Sequence, residues 1–417
     1  MSTENDAEAG SLAPLKFKQA VFHFATHPSE PIIVSGLING KIKCHRYGEK
    51  SHQELWTEKA FKKSCRGVAF NPDGSQLYSV SKDKMILLMD TSTGQTIKSR
   101  EMTHENPLNS LLNLNENMFA TGDDQGVIKI WDNRKEDAVM TYSEHEDFIA
   151  DMAYSPSHKT LVAVGGDGYL STWDIRKPNV AAMSDQMGDE LLSVKLVKNG
   201  RKAVVGSQEG ILSLWSWGDW GDYKDRIVGH PHSIDAICKI DEDTICTGSS
   251  DGMIRVVSIL PNAFHGVIGD HGQDMPIEHI ELTHDKKYLI SCGHDESLRF
   301  WDVGYLFDED QDEEKDGDDD QSDAEGEVTS NLENNKNEDQ DDESQDEDKK
   351  QKQDADDDED EEKALAEFEG FEDDSDDSDD DKPSKKRQKK QLKKEQKKKE
   401  AEHKKKSSRP NTFFSDL

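Results

Sequence analysis

The heptapeptide GVIKIWD at Gly126–Asp132 returns as GYLSTWD at Gly168–Asp174 and as ESLRFWD at Glu296–Asp302. The tryptophans of the first two copies lie 42 residues apart, and the same step, lengthened to 44 at either end, extends the series in both directions. The seven equivalent positions are His45, Met89, Trp131, Trp173, Trp215, Val257 and Trp301. A fixed period of this length indicates a repeat architecture with seven copies of one unit.

A tight turn is predicted six residues before each of these positions, where Asp or Asn tolerates turn geometry. Asn39, Asp83, Asp167, Asp251 and Asp295 fit this rule, whereas Gln125 and Glu209 depart from it. Glycine, which adopts positive φ without strain, follows at Gly40, Gly126, Gly168, Gly210 and Gly252. Each unit also opens with apolar residues that alternate as in short strands. Four histidines precede their Trp positions by 27 to 30 residues, and we expect hydrogen-bonding roles for them: His104, His145, His230 and His271.

The period, the Trp-Asp pairs and the turn residues together resemble WD40 repeats. This resemblance implies an all-β fold, a seven-bladed WD40 β-propeller over residues 15–307, with four strands in each blade. Blades one, two and six lack the tryptophan. The outer strand of the last blade is taken either from Leu12–Lys18 or from Gly304–Phe307, and N-terminal closure is the usual solution in this class.

Charge divides the rest of the chain. Residues 308–381 hold 40 of the 88 acidic residues but only 6 Lys and Arg, whereas residues 382–409 hold 15 Lys and Arg against 3 acids. Because so few apolar residues cannot offset the entropy of ordering, we expect a disordered acidic tail over 308–381. A lysine-rich basic segment at 382–409 and a hydrophobic motif at 410–417 follow it, and residues 1–14 are expected to be a flexible N-terminus.

Several function classes lack support in the sequence. The five cysteines have no C-x-x-C spacing, and the sequence contains no signal peptide and no apolar run of 18 residues. Motifs for phosphate loops, nucleophile elbows and zinc proteases do not occur either. We therefore expect a reduced, intracellular protein without catalytic residues, cofactor, metal or membrane contact, and a monomer within larger complexes.

Two arginines that follow Trp-Asp pairs are candidate partner-binding residues. Arg134 and Arg176 each lie three residues beyond a tryptophan, in adjacent blades. Such tandem W-D-x-R elements resemble those with which substrate receptors of cullin-type ubiquitin ligases dock the adaptor. In the alternative interpretation, each arginine pairs with an acidic residue of its own blade.

The loop of blade five contains two further tryptophans, Trp217 and Trp220. An exposed loop with two indoles would form an aromatic anchor for a partner, since tryptophan is enriched at interaction hot spots. Alternatively, the loop folds back over the blade as a local lid.

The basic segment contains a K-K-R-Q-K-K run typical of nuclear localisation signals and of nonspecific phosphate binding. Its charged residues are Lys385, Lys386, Arg387, Lys389 and Lys390. The adjacent acidic run would compete with RNA for these cations. Ser375 and Ser378, which stand among aspartates, are candidate phosphorylation sites for an acid-directed kinase.

Two apolar islands interrupt the tail. Leu365, Phe368 and Phe371 are spaced to line one side of a short helix in a bound state, and Phe413 and Phe414 belong to a C-terminal anchor. We interpret both islands as docking motifs for protein partners.

The stretch from WSWGDWGDYKDR at Trp215 onward, the acidic and then basic tail and the ending FFSDL together resemble the WD repeat-containing protein 55 family, whose fungal members are of the Jip-five type. The resemblance implies a nucleolar scaffold in ribosomal RNA processing and large-subunit assembly, with pre-ribosomal assembly factors as partners and RNA bound by the basic segment. A cullin-ligase substrate receptor is the alternative, and a histone-binding chromatin factor is a weaker one. An enzymatic function is the least supported of these interpretations.

Overall fold

A computed structural model describes residues 12–272 and 275–307. These residues form seven four-stranded antiparallel sheets, each a meander of sequence neighbours apart from the last. The first strands of consecutive blades contact one another around the ring, and the first and seventh blades meet in the same way. The predicted seven-bladed β-propeller is confirmed.

The strands of the first three blades follow the predicted period. Blade 1 contains β2 (Val21–Thr26), β3 (Ile32–Leu37), β4 (Ile42–Arg46) and β5 (Gln53–Glu58); blade 2 contains β6 (Cys65–Phe70), β7 (Gln76–Ser81), β8 (Ile86–Asp90) and β9 (Thr96–Arg100); blade 3 contains β10 (Leu108–Asn113), β11 (Met118–Asp123), β12 (Ile128–Asp132) and β13 (Met140–Tyr142).

The remaining blades repeat this order. Blades 4 and 5 contain β14 (Ile149–Ser155), β15 (Thr160–Gly165), β16 (Leu170–Asp174) and β17 (Ala182–Met183), and β18 (Leu191–Val197), β19 (Lys202–Ser207), β20 (Ile211–Ser216) and β21 (Asp225–Val228), respectively. Blade 6 contains β22 (Ile234–Lys239), β23 (Thr244–Ser249), β24 (Met253–Ser258) and β25 (Ala263–Asp270). Blade 7 contains β26 (Ile277–Leu282), β27 (Tyr288–Gly293), β28 (Ser297–Asp302) and the N-terminal β1 (Leu15–Lys16). Every Trp-equivalent position lies on the third strand of its blade.

The ring is closed by the N-terminus. Leu15 of β1 pairs with Leu298 of β28 in an antiparallel register, and both side chains are buried. Leu12 is also buried and belongs to the core between blades 7 and 1. The other candidate segment, Gly304–Phe307, forms a 3-10 helix instead of a strand. Among the described residues it is the only helical segment, and no helix there is long and apolar enough to cross a membrane.

The loops form two faces. On the upper face, the loop that leads into each of blades 1 to 6 is bonded to the turn between the second and third strands, as where Lys82 N–H donates to Ser64 O at 3.0 Å. On the lower face, the loop after the third strand is bonded to the loop between the first two strands, as where Ile175 N–H donates to Lys159 O at 3.1 Å. Residues that follow Trp-Asp pairs therefore lie on the lower face, opposite the turn residues.

The turns of the upper face share one backbone conformation. The residue after the predicted turn position has a positive φ in all seven blades, including the two where it is not glycine: Lys84 at 69° and Glu296 at 56°. At Gly40 the backbone also leaves no space, since an added Cβ would clash with the carbonyl oxygens of Phe61 and Lys63. The turn geometry is thus more regular than the sequence that encodes it.

Candidate interaction surfaces

Hydrogen-bonded sets inside three blades account for the repeat histidines and tryptophans. In blade 7, Ser291 Oγ accepts from Trp301 Nε1 at 2.7 Å and lies 2.6 Å from His271 Nε2, while His271 Nδ1 lies 3.1 Å from Asp295. Blade 4 repeats the set with His145, Asp167, Ser171 and Trp173. These side chains hold the upper-face loops onto the third strand, so their role is structural.

Blade 3 contains an equivalent set, with Thr121 in place of the serine, although its turn residue is Gln125. The carboxylate oxygen Oδ2 of Asp123, two residues earlier, lies 3.0 Å from His104 Nδ1. Burial lowers the pKa of His104 below its ordinary value, so the imidazole is neutral and donates to an ionised carboxylate. Burial alone would raise the pKa of Asp123, but the hydrogen bonds from His104 and from two backbone N–H groups outweigh it and the pKa is lowered. An Asp at a shifted position was the signal that the spacing rule missed.

Blade 6 retains only part of the set. His230 Nε2 lies 2.8 Å from Thr247 Oγ1, but Val257 replaces the tryptophan and His230 Nδ1 has no hydrogen-bond partner within the described part of the chain. Asp251 binds Arg255 instead, with a shortest contact of 2.6 Å. The repeat thus tolerates the loss of individual members.

Arg134 and Arg176 occupy equivalent sites on the lower face. Each guanidinium forms a two-point contact with the aspartate of its own Trp-Asp pair: Arg134 with Asp132 at 2.9 and 2.7 Å, and Arg176 with Asp174 at 2.7 and 2.8 Å. This is the own-blade pairing that the sequence left as an alternative.

The pairing orients these arginines without covering them. Their side chains remain 69% and 65% exposed, respectively. The hydrogen bonds from the arginines are the main reason why the pKa of Asp132 and that of Asp174 are each lowered to about 2. Two preoriented guanidinium groups therefore project from adjacent blades of the same face.

The tryptophan loop of blade 5 folds onto blade 4. Trp220 is only 7% exposed and lies in the core shared by blades 4 and 5, and its ring contacts that of Trp217 edge to face at 5.1 Å. Trp217 is half-buried and stacks on His158 of blade 4 at 4.3 Å. Asp185 N–H donates to Gly221 O at 2.8 Å. This geometry is that of the lid, and Trp220 has almost no surface to offer a partner.

The upper face carries a lysine cluster whose members come from three separate stretches of the sequence. Turn 38–41, loop 59–64 and turn 82–85 contain six lysines and one acidic residue, Asp83. We call these six residues the lysine patch: Lys41, Lys59, Lys62, Lys63, Lys82 and Lys84. The signal in the sequence was present as NGK, KAFKKS and KDK, but it became visible only once the repeat placed the three stretches side by side.

The next sector of the same face has the opposite charge. Six loops and turns of blades 3 to 5 contain eleven acidic residues and no Lys or Arg. They are residues 101–107, 124–127, 143–148, 166–169, 184–190 and 208–210. We call this sector the acidic crescent. Several of its carboxylates accept hydrogen bonds from backbone N–H groups within the crescent, as Asp189 does from Glu209 N–H of the neighbouring turn at 2.9 Å.

The innermost strands place half-buried ionisable groups next to the channel. His23 of blade 1 stacks on His279 of blade 7 at 4.0 Å, and Glu281 accepts from Thr26 N–H at 2.9 Å. Burial lowers the pKa of His23 to about 4 and raises the pKa of Glu281 to about 7. Within the residues that the structure describes, no group of three or more His, Cys, Asp or Glu has the arrangement of a metal site.

The candidate residues of the tail lie outside the described residues. They are Leu365, Phe368, Phe371, Phe413 and Phe414, the basic residues Lys385, Lys386, Arg387, Lys389 and Lys390, and the serines Ser375 and Ser378. The predicted boundaries at 308, 382 and 410 fall in the same region.

Comparison with known proteins identifies the family. The family model described as WDR55 matches residues 13–306. WD repeat-containing protein JIP5 of Coprinopsis cinerea is 44% identical to this chain over 303 residues, which cover 70% of this chain and 74% of that protein. WD repeat-containing protein 55 of Rattus norvegicus is 40% identical over 284 residues, or 68% and 74% of the two chains, and that of Arabidopsis thaliana is 42% identical over 281 residues, or 66% and 78%. The chain belongs to the WDR55 family of WD40-repeat propellers.

Proposed function

We propose that this protein is a non-catalytic nucleolar scaffold in ribosome biogenesis, acting in ribosomal RNA processing and assembly of the large subunit. The observation that carries the proposal is the segregation of charge on the upper face. Six lysines adjoin a sector of eleven acidic residues, and both stand on loops that are bonded to one another. Such a surface suits particles made of RNA and basic proteins, because each sector attracts one of the two components.

The charged tail supports the same function. The basic segment 382–409 supplies cations for RNA phosphates and a nuclear localisation signal. The acidic segment 308–381 competes for those cations and so tempers RNA binding, and phosphorylation of Ser375 and Ser378 would add charge to it. The apolar islands of the tail would dock assembly factors.

Affinity purification of the tagged full-length protein tests the scaffold function. We expect precursors of large-subunit ribosomal RNA and ribosome assembly factors to co-purify, and fluorescence of the tagged protein to concentrate in nucleoli. Recovery of nucleosomes, or of a cullin adaptor without pre-ribosomal RNA, would contradict the proposal.

A separate comparison tests the role of the acidic segment. RNA affinity of the full chain is measured at two salt concentrations against a variant that lacks residues 308–381. Tighter binding by the deletion variant, most pronounced at low salt, is expected because competition between exposed charges is screened by salt. Equal RNA affinities of the full chain and the deletion variant would contradict the proposal that the acidic segment weakens RNA binding.

The exposed arginine pair favours a second candidate, the substrate receptor of a cullin-type ligase. Arg134 and Arg176 are held by Asp132 and Asp174 yet remain about two-thirds exposed. Preorientation lowers the entropy cost of forming an interface. Both arginines are therefore available to an adaptor that approaches the lower face.

Charge reversal discriminates between the two functions. Arg134→Glu with Arg176→Glu abolishes adaptor co-purification if the ligase candidate is correct, while pre-ribosome association persists if the scaffold is correct. Arg46→Glu with Arg201→Glu is the matched control, since it makes the same charge change elsewhere on the lower face. Loss of pre-ribosomal RNA from the first variant alone would mean that the lower face carries the scaffold function.

A further inference from the structure

The three loops of the lysine patch form one connected surface. Loop 59–64 is bonded to the turn of blade 1 through Phe61 N–H to Gly40 O, at 3.0 Å. On its other side, Lys62 N–H donates to Asp83 Oδ2 at 2.9 Å and Lys82 N–H donates to Ser64 O at 3.0 Å. The patch is thus built on backbone that is fixed by two blades, with only the lysine stems free to move.

The positive charge of the patch is largely unneutralised. Asp83 directs one carboxylate oxygen at the backbone N–H groups of Lys62 and Lys63. Lys59 and Lys84 donate to the neutral carbonyl oxygens of Asn39 and Glu105. In the described part of the chain, none of the six lysines forms a salt bridge.

We propose that the lysine patch binds the phosphodiester backbone of a nucleic acid, as a contact separate from the basic segment of the tail. Lysine ammonium groups on flexible stems act as point charges for phosphates, and their binding gains from the release of counterions. Recognition of carboxylates in an acidic peptide more often uses the planar fork of arginine, which the three loops lack. The chemistry of the patch therefore favours phosphates over an acidic protein.

The surroundings of the patch define its limits. Toward the channel, the Arg66 guanidinium lies 4.4 Å from the ring centre of Phe22 and, together with Lys82, acts electrostatically on Asp124 of the acidic crescent. Toward blades 3 to 5, the acidic crescent repels phosphates. The bound strand is thus kept away from blades 3 to 5, and its footprint on the patch is short. The proposal holds whether or not the protein acts in ribosome assembly.

The test uses the full chain and three lysines that are exposed and whose side chains form no hydrogen bond or salt bridge with the described residues. Lys62→Gln, Lys63→Gln and Lys82→Gln are combined, and binding of a 20-nucleotide uridine RNA and of a thymidine DNA of equal length is measured over a salt series. Removing three phosphate contacts should reduce the slope of log K against log salt by about 2 and weaken binding about tenfold or more near physiological salt. Thermal unfolding checks that the variant remains folded.

Lys50→Gln, Lys135→Gln and Lys159→Gln form the matched control, because they remove the same charge from the lower face. This control should leave the slope within error of the original chain. Equal effects of the two triple variants would overturn the proposal, since the tail or the net charge would then account for binding. Binding of a polyglutamate peptide is measured on the same variants. If the patch variant binds polyglutamate more weakly but binds RNA and DNA as tightly as the original chain does, the proposal is overturned and the patch is assigned to an acidic protein. Parallel losses for RNA and DNA support the proposal, and a loss for RNA alone supports it with RNA as the source of the phosphates.

Discussion

At the scale of single residues, one hydroxyl group connects the signature side chains of a blade. Ser291 bridges His271 and Trp301; the serine and the histidine are buried, and the tryptophan is partly buried. Ser35 occupies the same position in blade 1, but its hydroxyl has no hydrogen-bond partner among the described residues. The same residue type at the same site therefore has different energetic roles.

Ser291→Ala is expected to destabilise the protein by about 2 kcal/mol, because it leaves a buried imidazole nitrogen and an indole N–H without partners. Ser35→Ala, the matched control, removes no hydrogen bond and is expected to change stability by less than about 0.5 kcal/mol. Chemical denaturation of both variants measures the difference. Similar losses from the two substitutions would show that the network contributes nothing beyond packing.

Glu281 gives stability a defined pH dependence. Burial raises its pKa to about 7, whereas an unfolded glutamate ionises near pH ~4.3. Between these values the folded state holds a proton that the unfolded state has lost, so the stabilisation is complete below pH ~4.3 and is lost as pH rises through 7.

Glu281→Gln stays neutral and removes this dependence. The unfolding free energy of the original chain, relative to the variant, should fall by at most about 3 kcal/mol between pH ~4.3 and pH ~7.5. Because the pKa of His23 is lowered in the folded state, its contribution to stability is lost as pH falls. This contribution is the same in the original chain and in the variant, so it cancels in the comparison. A difference that stays constant over this range would contradict a protonated Glu281 in the folded state.

At the scale of elements, the tryptophan loop of blade 5 fastens neighbouring blades. Trp220 packs among side chains of blades 4 and 5, and Trp217 only covers it. Trp220→Ala should therefore cost about 3–5 kcal/mol, as truncation of a buried tryptophan does. Trp217→Ala should cost less than half as much, and thermal melts compare the two. A larger loss from Trp217, or no loss from either, would show that the loop serves a partner and not the blade.

The number of blades was predictable from the sequence, whereas the closure of the ring was not. The seven positions that recur at steps of 42 to 44 residues predict seven blades, because each unit buries its faces only against its neighbours. The period does not reveal which segment closes the ring, since Leu15–Lys16 is a strand of only two residues, defined by pairing with β28. Likewise, the role of Asp123 depends on a histidine nineteen residues earlier, which no local spacing encodes.

At the scale of the whole molecule, the candidate sites depended on how distant segments meet. Arg134 and Arg176 were predictable because each follows its own Trp-Asp pair. The lysine patch was not, because it draws on two blades and three separate stretches of chain. The eleven acidic residues of the crescent are spread over more than a hundred positions and form one sector only after the ring closes. Surface charge is thus a property of the fold and not of any motif.

We propose that the propeller is a scaffold on particles that contain pre-ribosomal RNA. Sedimentation of a nuclear extract through a sucrose gradient, with and without ribonuclease treatment, tests this claim. The tagged full-length protein should migrate with precursors of the large ribosomal subunit and return to the top of the gradient when RNA is digested. Migration at the top in both samples, or with a cullin adaptor regardless of ribonuclease, would contradict the claim.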